Sequence, residues 1–566
     1  MIDLKGNPFY LKDEDIGWVK DTLEGMDLKT KVGQLFAPIG LSDNEDYLKH
    51  MVKDIKIGAI MFRPGTGEEV HNAHKILQEN SEVPLLVAAN LETGGTGTAI
   101  DGTLMGTQMQ VAATDNEEMA YKLGVICGRE ASAVGCNWAY APVIDIDYNW
   151  RNPITNIRTY GSDPERVLKM GKAYMKGIQE NGGCVSIKHF PGDGVDERDQ
   201  HLLTTINSLS VEKWDETYGK VYKGLIDEGA RTVMVGHIMQ PAYSKMLRPD
   251  IEDDEIMPAT LAPELLKGLL REKLGFNGMI VTDATPMAGF TMPMSREKAV
   301  PYSIAAGCDM FLFNKSLEED FEFMMLGIEN GILTEERIDE AVTRILATKA
   351  SLDLHKKKQE GTLIPKKTEL EILQCEEHIQ WVKQCADQSI TLVKDSQQLL
   401  PLSLKKHKRV LLFVLGDEMN HFGGSNKHRL FKELLEKEGF DVTIFQTEGL
   451  TMRDMEQSVA SFKDNYDVAL YFANIATYSN QTVVRLTWAA PMGINVPWFI
   501  QDLPTAFISV ANPYHLMDVP QVKTFINGYT SSKDVIEAVI NKMLGRSEFK
   551  GINPVDPFCG QWLAKI

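Results

Sequence analysis

Residues able to do chemistry gather in three short stretches of this sequence. The densest, Ser186 to Leu202, reads SIKHFPGDGVDERDQHL: an apolar run passes into Lys188 and His189, turns at Pro-Gly and continues to Asp199-Gln200-His201. In an extended chain residues i and i+2 share a side, so Asp199 and His201 can meet at one centre, where a carboxylate orients an imidazole and stabilises its protonated form. Such a pair is a tunable proton carrier. A metal site would use the same residue types, but the sequence specifies no convincing set of further ligands; a plain surface loop is the remaining alternative. The second stretch, Gly275 to Gly289 (GFNGMIVTDATPMAG), brings Asp283 to the end of an apolar run. A carboxylate placed there suits nucleophilic or electrostatic work, and a helix cap or structural acceptor would use it equally well. The third, Asn152 to Pro164 (NPITNIRTYGSDP), is rich in turn formers and carries Arg158, which can clamp a ligand in bidentate fashion or tie down its own loop.

These residues need elements to hold them. Eight short, largely β-branched apolar runs recur in the first two thirds of the chain, separated by helical periodicity: Leu35 to Ile39, Ile57 to Phe62, Leu85 to Ala89, Ala139 to Ile146, Cys184 to His189, Thr232 to Ile238, Met279 to Asp283 and Cys308 to Phe313. The pattern predicts an α/β fold, a (β/α)8 barrel in preference to a doubly wound sheet. Asn90, Asp145 with Asp147, Lys188 with His189, His237, Asp283 and Asn314 each fall at or just after the end of a run. In a barrel those ends converge on one mouth, although strand ends are also polar simply where they meet solvent.

The charged stretch from Leu352 to Glu369 carries Gly and Pro and breaks the rhythm, which places a catalytic barrel at 1–351, a linker at 352–369 and a second domain at 370–566. The second domain shows further apolar runs at Val410 to Leu415, Val442 to Phe445, Val468 to Phe472, Trp498 to Ile500 and Ala506 to Val510, the pattern of a sheet with helices on both faces.

Composition narrows the classes. With 566 residues, 43% of them hydrophobic, the chain has material for a substantial core and is too long for one small binding module. Its 79 acidic against 59 basic residues give a net charge of -20, so neither nucleic acid nor an anionic membrane is an expected partner. The seven cysteines are scattered, without CxxC pairs, and read as reduced. The opening MIDLKGNPFYLKDED lacks a basic region followed by an apolar stretch, and no apolar run approaches the length of a bilayer span, so a cytoplasmic protein is expected. Gly94 to Gly97 lacks the spacing of a dinucleotide fingerprint, and neither cofactor nor metal is expected.

Taken together, KHFPGDG at 188–194, Asp199-x-His201 and GFNGMIVTDA at 275–284 resemble glycoside hydrolase family 3, specifically its NagZ-like β-N-acetylhexosaminidase branch. KVGQL at 31–35, Ala141-Pro142 with Asp145, RTYGSDP at 158–164 and SITLVKDSQQLLPL at 389–402 agree with it, so the resemblance spans nearly the whole chain. It implies a (β/α)8 barrel followed by an α/β sandwich domain. It further implies a retaining exo-β-N-acetylglucosaminidase acting on small glycosides, with Asp283 as nucleophile, His201 held by Asp199 as acid/base, and Arg158, Lys188, His189 and the Asn90 segment on the sugar. Three positions depart from the family pattern: Asn90 stands for an aspartate, Asp193 for a histidine, and Ala284 for a second aspartate. A phosphorylase or β-glucosidase of the same family, and a non-catalytic sugar-binding protein, are the competing readings. The oligomeric state is not legible.

Overall fold

The computed structural model describes residues 2–62, 65–417, 426–456 and 458–566. The chain forms two compact units. The first comprises residues 1–104, 120–155 and 164–379, and the second 105–119, 156–163 and 380–566.

The first unit is a (β/α)8 barrel. Parallel strands follow one another in the order Ile39–Gly40, Ala59–Phe62, Leu86–Ala89, Trp138–Ala139, Cys184–Phe190, Thr232–Val235 and Met279–Thr282. A bridge between Val281 and Met310 and the parallel pair Phe36–Ala37 with Phe311–Leu312 close the ring. All four residues of Ala59–Phe62, Leu86–Ala89, Thr232–Val235 and Met279–Thr282 are buried, as strands covered on both faces require. The run Ala139 to Ile146 is strand only at its start. Pro142 has no N–H to give to a ladder, and the chain beyond it meets the next strand through Ile144 N donating to Lys188 O (2.8 Å).

Between the strands lie amphipathic helices. Helix Pro164–Glu180 buries Val167, Met170, Gly171, Tyr174, Met175, Gly177 and Ile178, a face of helical spacing. It packs closely on the preceding helix because a Cβ at Gly177 would stand 2.5 Å from Tyr121 O, and one at Gly124 2.2 Å from Tyr174 O. Within 352–369 the chain forms helix Leu354–Glu360, where His355 stacks on Trp18 at 4.6 Å and Lys356 Nζ pairs with Asp15 (2.7 Å). These contacts join that stretch to the first unit.

The second unit is a six-stranded sheet in the order Thr391–Asp395, Thr524–Asn527, Thr505–Ser509, Val468–Asn474, Arg409–Gly416, Asp441–Ile444, antiparallel only at the first pair. One apolar cluster contains Val410 and Leu412, and another contains Leu411, Phe413 and Leu415, so both faces are covered. Phe413, Tyr471, Phe507 and Phe525 stack across four strands at centroid spacings of 4.5, 5.6 and 5.1 Å. Trp498 to Ile500, expected as a strand, is a turn whose Phe499 packs on Phe413 and Phe462. An apolar run so short has no period to tell the two apart. Among the described residues no helix is long and apolar enough to cross a membrane.

Candidate active site

Strand Met279–Thr282 delivers Asp283 to the barrel mouth. Its backbone N donates to Val235 O (2.8 Å), and its Oδ1 accepts from Ala284 N (2.7 Å). The residue is 9% exposed. Burial acts to raise its carboxyl, but the fields of His189, His237 and His201 and the Ala284 amide outweigh it and hold the group below its ordinary value. Asp283 is therefore a largely dehydrated anion.

His189 reaches it from strand Cys184–Phe190, with Nε2 3.9 Å from Asp283 Oδ2. Its ring is fixed from behind, because Nδ1 donates to Asp145 Oδ2 (2.6 Å) and its backbone N donates to Asp145 Oδ1 (3.1 Å). Lys188, on the same strand, pairs with Glu92 Oε1 at 2.6 Å. His237 is fully buried. Its Nε2 donates to Ala284 O (3.0 Å), which fixes the tautomer, and Nδ1 faces the Thr260 hydroxyl (3.1 Å). Burial lowers its pKa, against the pull of Asp283 and its bond to the Ala284 carbonyl.

The loop after strand Cys184–Phe190 carries the expected dyad. His201 Nδ1 donates to Asp199 Oδ1 (2.7 Å) and His201 N donates to the same oxygen (2.8 Å). The Asp199 side chain is fully buried while that of His201 is 28% exposed, so one ring edge stays open for a proton to arrive or leave. The loop is stitched to the segment following Asp283, since Ala288 N donates to His201 O (3.0 Å) and Gly289 N to Gln200 O (3.1 Å). Gly194, at φ +102°, is forced here, because a Cβ would lie 2.0 Å from Ile146 O.

Asp283, His189, His201 and Asp199, read from sequence, thus stand in one neighbourhood, with Lys188 on the adjoining strand. Asn90 follows strand Leu86–Ala89 and is half-buried, two positions before Glu92. Arg158 lies in segment 156–163 of the second unit; the cluster described here is built from the first unit alone. Sequence reasoning passed over Asn152 and Gln200 as site residues, met Glu92 only within the Asn90 segment, and noted Asp145 and His237 as polar strand ends, with Asp145 also part of the family pattern. Those two positions were the available signal, whereas Glu92 pairs with Lys188 on another strand, Asn152 with Asp193 on the dyad loop, and Gln200 with that same Asp193 and with His237 N after a further strand. Chemically, the arrangement offers a buried anion to attack an electrophilic centre and an adjacent imidazole to carry a proton.

Known proteins resemble this chain over nearly its whole length. Residues 27–348 match the glycosyl hydrolase family 3 N terminal domain. A beta-N-acetylglucosaminidase/beta-glucosidase from Cellulomonas fimi is 46% identical over 565 residues, 99% of each chain. A solved beta-glucoside phosphorylase bound to 2FGlc superposes with a TM-score of 0.94 at 46% identity, covering 98% of this chain and 99% of that one. The family 3 beta-N-acetylglucosaminidase of a Paenibacillus species shares the fold, with a TM-score of 0.79 at 24% identity over 94% of this chain and 99% of its own.

Proposed function

The chain belongs to glycosyl hydrolase family 3, and from that membership we propose that it removes terminal β-linked N-acetylglucosamine from small glycosides such as cell-wall or chitin fragments, with retention of configuration. The observation that carries the reading is the buried Asp283 at the end of a barrel strand, with His189 Nε2 3.9 Å from its Oδ2 and a hydrogen-bonded Asp199–His201 pair on the loop stitched to the segment after it.

In the first step an Asp283 oxygen attacks the anomeric carbon while the bond to the aglycone oxygen breaks, and His201 Nε2 gives its proton to that oxygen. In the second, the neutral imidazole takes a proton from water, whose oxygen displaces Asp283 from the same carbon. Asp199 holds the ring through Nδ1, which leaves Nε2 to do both transfers. Lys188, His189 and Asn90 bind sugar hydroxyls in this reading. The name of the Cellulomonas fimi relative supports the acetamido sugar, with glucose as the second choice. All seven cysteines are unpaired, which supports a reducing, cytoplasmic setting.

Phosphate in place of water is the second reading. It is favoured by the beta-glucoside phosphorylase at 46% identity and by the chemistry of the carrier, since an imidazole that has given up its proton repels an incoming phosphate less than a carboxylate would. Release of p-nitrophenol from the β-N-acetylglucosaminide and the β-glucoside, with and without phosphate, separates the readings. Phosphate-independent release with free sugar as product supports hydrolysis; phosphate-dependent release with a sugar phosphate as product replaces it. Loss of under tenfold in Asp283→Ala, against the expected ~1000-fold or more, would remove Asp283 from the chemistry in either case.

A further inference from the structure

Asp193 lies on the same loop as the dyad, six residues before Asp199, and is 2% exposed. Its backbone is held independently of its carboxyl group: its N donates to Asp145 Oδ1 (2.7 Å), and its O accepts from the Tyr218 hydroxyl (2.5 Å). The two carboxylate oxygens have different duties. Oδ1 accepts from Asn152 Nδ2 (2.8 Å) and Gly194 N (2.7 Å), whereas Oδ2 accepts from Gln200 Nε2 (3.3 Å).

Gln200 sits between the two members of the dyad, in a turn where Leu202 N donates to Asp199 O (2.9 Å). It is 1% exposed, and its Oε1 accepts from His237 N (2.8 Å). One amide group therefore spans from Asp193 to the strand end beside Asp283. We propose that Asp193 is a positioning residue for the proton carrier: through Gln200 it fixes the backbone that holds Asp199 and His201, and thereby the reach of His201 toward the bond that breaks. This rests on the reading of His201 as the acid/base.

The link depends on the charge of Asp193. With Oδ1 filled by two N–H donors, a proton taken up by Asp193 goes to Oδ2, whose single bond from Gln200 then changes from a charge-assisted one to a weaker one accepted by a neutral hydroxyl. Burial and the repulsion of Asp145 lift this carboxyl to about 7, against the hydrogen bonds of Gly194 and Asn152, with Asp199 adding to the rise. The groups that face it are Asp145 with its partner His189, Asp199, and the phenols of Tyr218 and Tyr222, both lifted well above their usual range by burial. The clamp therefore tightens as pH rises through about 7.

The test uses substitutions that reverse the donor and acceptor. Asp193→Asn sets amide N–H against amide N–H, Gln200→Glu sets carboxylate against carboxylate, and the double variant restores one N–H to oxygen bond while keeping the acceptor for His237 N. On aryl glycosides with poor leaving groups each single variant should lose about tenfold or more in kcat/KM, and the double variant should return to within about threefold of the parent. On activated aryl glycosides kcat/KM, which reports the first step, should stay within about threefold throughout. The limb of the pH profile near 7 should be absent from Asp193→Asn.

Equal losses on both substrate classes, an unchanged limb, or a double variant no better than the worse single one overturn the proposal. If Asp193→Asn fails to fold, Gln200→Ala cuts the same link from its other end and must show the same leaving-group selectivity. His201→Ala is run beside them. If it shows no leaving-group dependence, the reading of His201 falls and takes this proposal with it; if it does and the Asp193 and Gln200 variants are silent, the proposal alone falls.

Discussion

Removing the carboxylate of Asp145 should loosen the site from beneath. Asp145 is fully buried and accepts three hydrogen bonds, from His189 Nδ1 (2.6 Å), His189 N (3.1 Å) and Asp193 N (2.7 Å). In Asp145→Ala all three donors lose their partner, and a buried donor left unsatisfied costs roughly 1–3 kcal/mol, for a total of about 3–9 kcal/mol. Two effects pull toward the lower half of that range: water can enter the space the carboxylate leaves, and the repulsion that raises the Asp193 carboxyl is relieved. Asp145→Asn keeps the shape and one acceptor for the two backbone amides. It sets an amide N–H against His189 Nδ1, so a neutral bond forms only when the ring takes the tautomer in which Nδ1 accepts, a loss of about 1 kcal/mol or more. Urea unfolding of parent and both variants reads the stability directly. Activity should separate the variants as well, because His189 aimed at Asp283 depends on that bond: Asp145→Asn should lose about ten- to hundredfold in kcat/KM, which corresponds to roughly 1.4–2.8 kcal/mol. An Asp145→Ala protein within about 1 kcal/mol of the parent, or an Asp145→Asn protein with full activity, would refute this account of the buried acceptor.

Other expectations follow from the same interactions. His201→Ala should slow substrates with poor leaving groups far more than activated aryl glycosides, since only the former need a proton; leaving-group series of kcat/KM decide it. Asp309, fully buried, is bonded by Arg271 (2.6 Å), Arg337 (2.7 Å) and Ile280 N (2.8 Å), and despite burial, the larger single influence, these and Arg344 hold its carboxyl below the ordinary value. A depressed carboxyl contributes stability that is present above the unfolded value near 4 and lost as pH falls through the folded one. Asp309→Asn should accordingly be less stable by about 3–5 kcal/mol at pH 7, and flatter than the parent below about pH 4, in thermal or urea melts across pH. Asp193 has the opposite sign: its raised carboxyl costs stability as pH climbs from about 4 to about 7, so Asp193→Asn should gain on the parent in melts at pH 8 relative to pH 5.

The barrel was legible because its eight runs are short and apolar, most of them with β-branched residues, and because a polar residue ends so many of them. Asp283, His189 and His237 show why the second feature matters: each stands at a strand end, and the barrel brings them together. The Asp199–His201 pair was legible because a contact two residues apart is local, but an extended chain is not what forms it: residues 200–202 turn, with Leu202 N donating to Asp199 O (2.9 Å) and His201 N donating to Asp199 Oδ1 (2.8 Å). What the sequence withheld were partners set by tertiary placement. Glu92 meets Lys188 across 96 positions of chain, and Gln200 bridges Asp193 and His237 only because a loop folds back over the strand ends. No local period encodes such meetings. Trp498 to Ile500 misled for the converse reason, as a buried turn and a buried strand share the same apolar composition.

The central claim is that Asp283 forms a bond to the sugar. Incubation with an activated 2-deoxy-2-fluoro-β-glucoside, which slows both steps but the second more, followed by intact mass and peptide mapping, tests it most directly. The account predicts one fluoroglycosyl group per chain, on the peptide containing Asp283, and its disappearance when an acceptor is added. A label on another carboxylate, or turnover of the reagent by Asp283→Ala at the parent's rate, would contradict it.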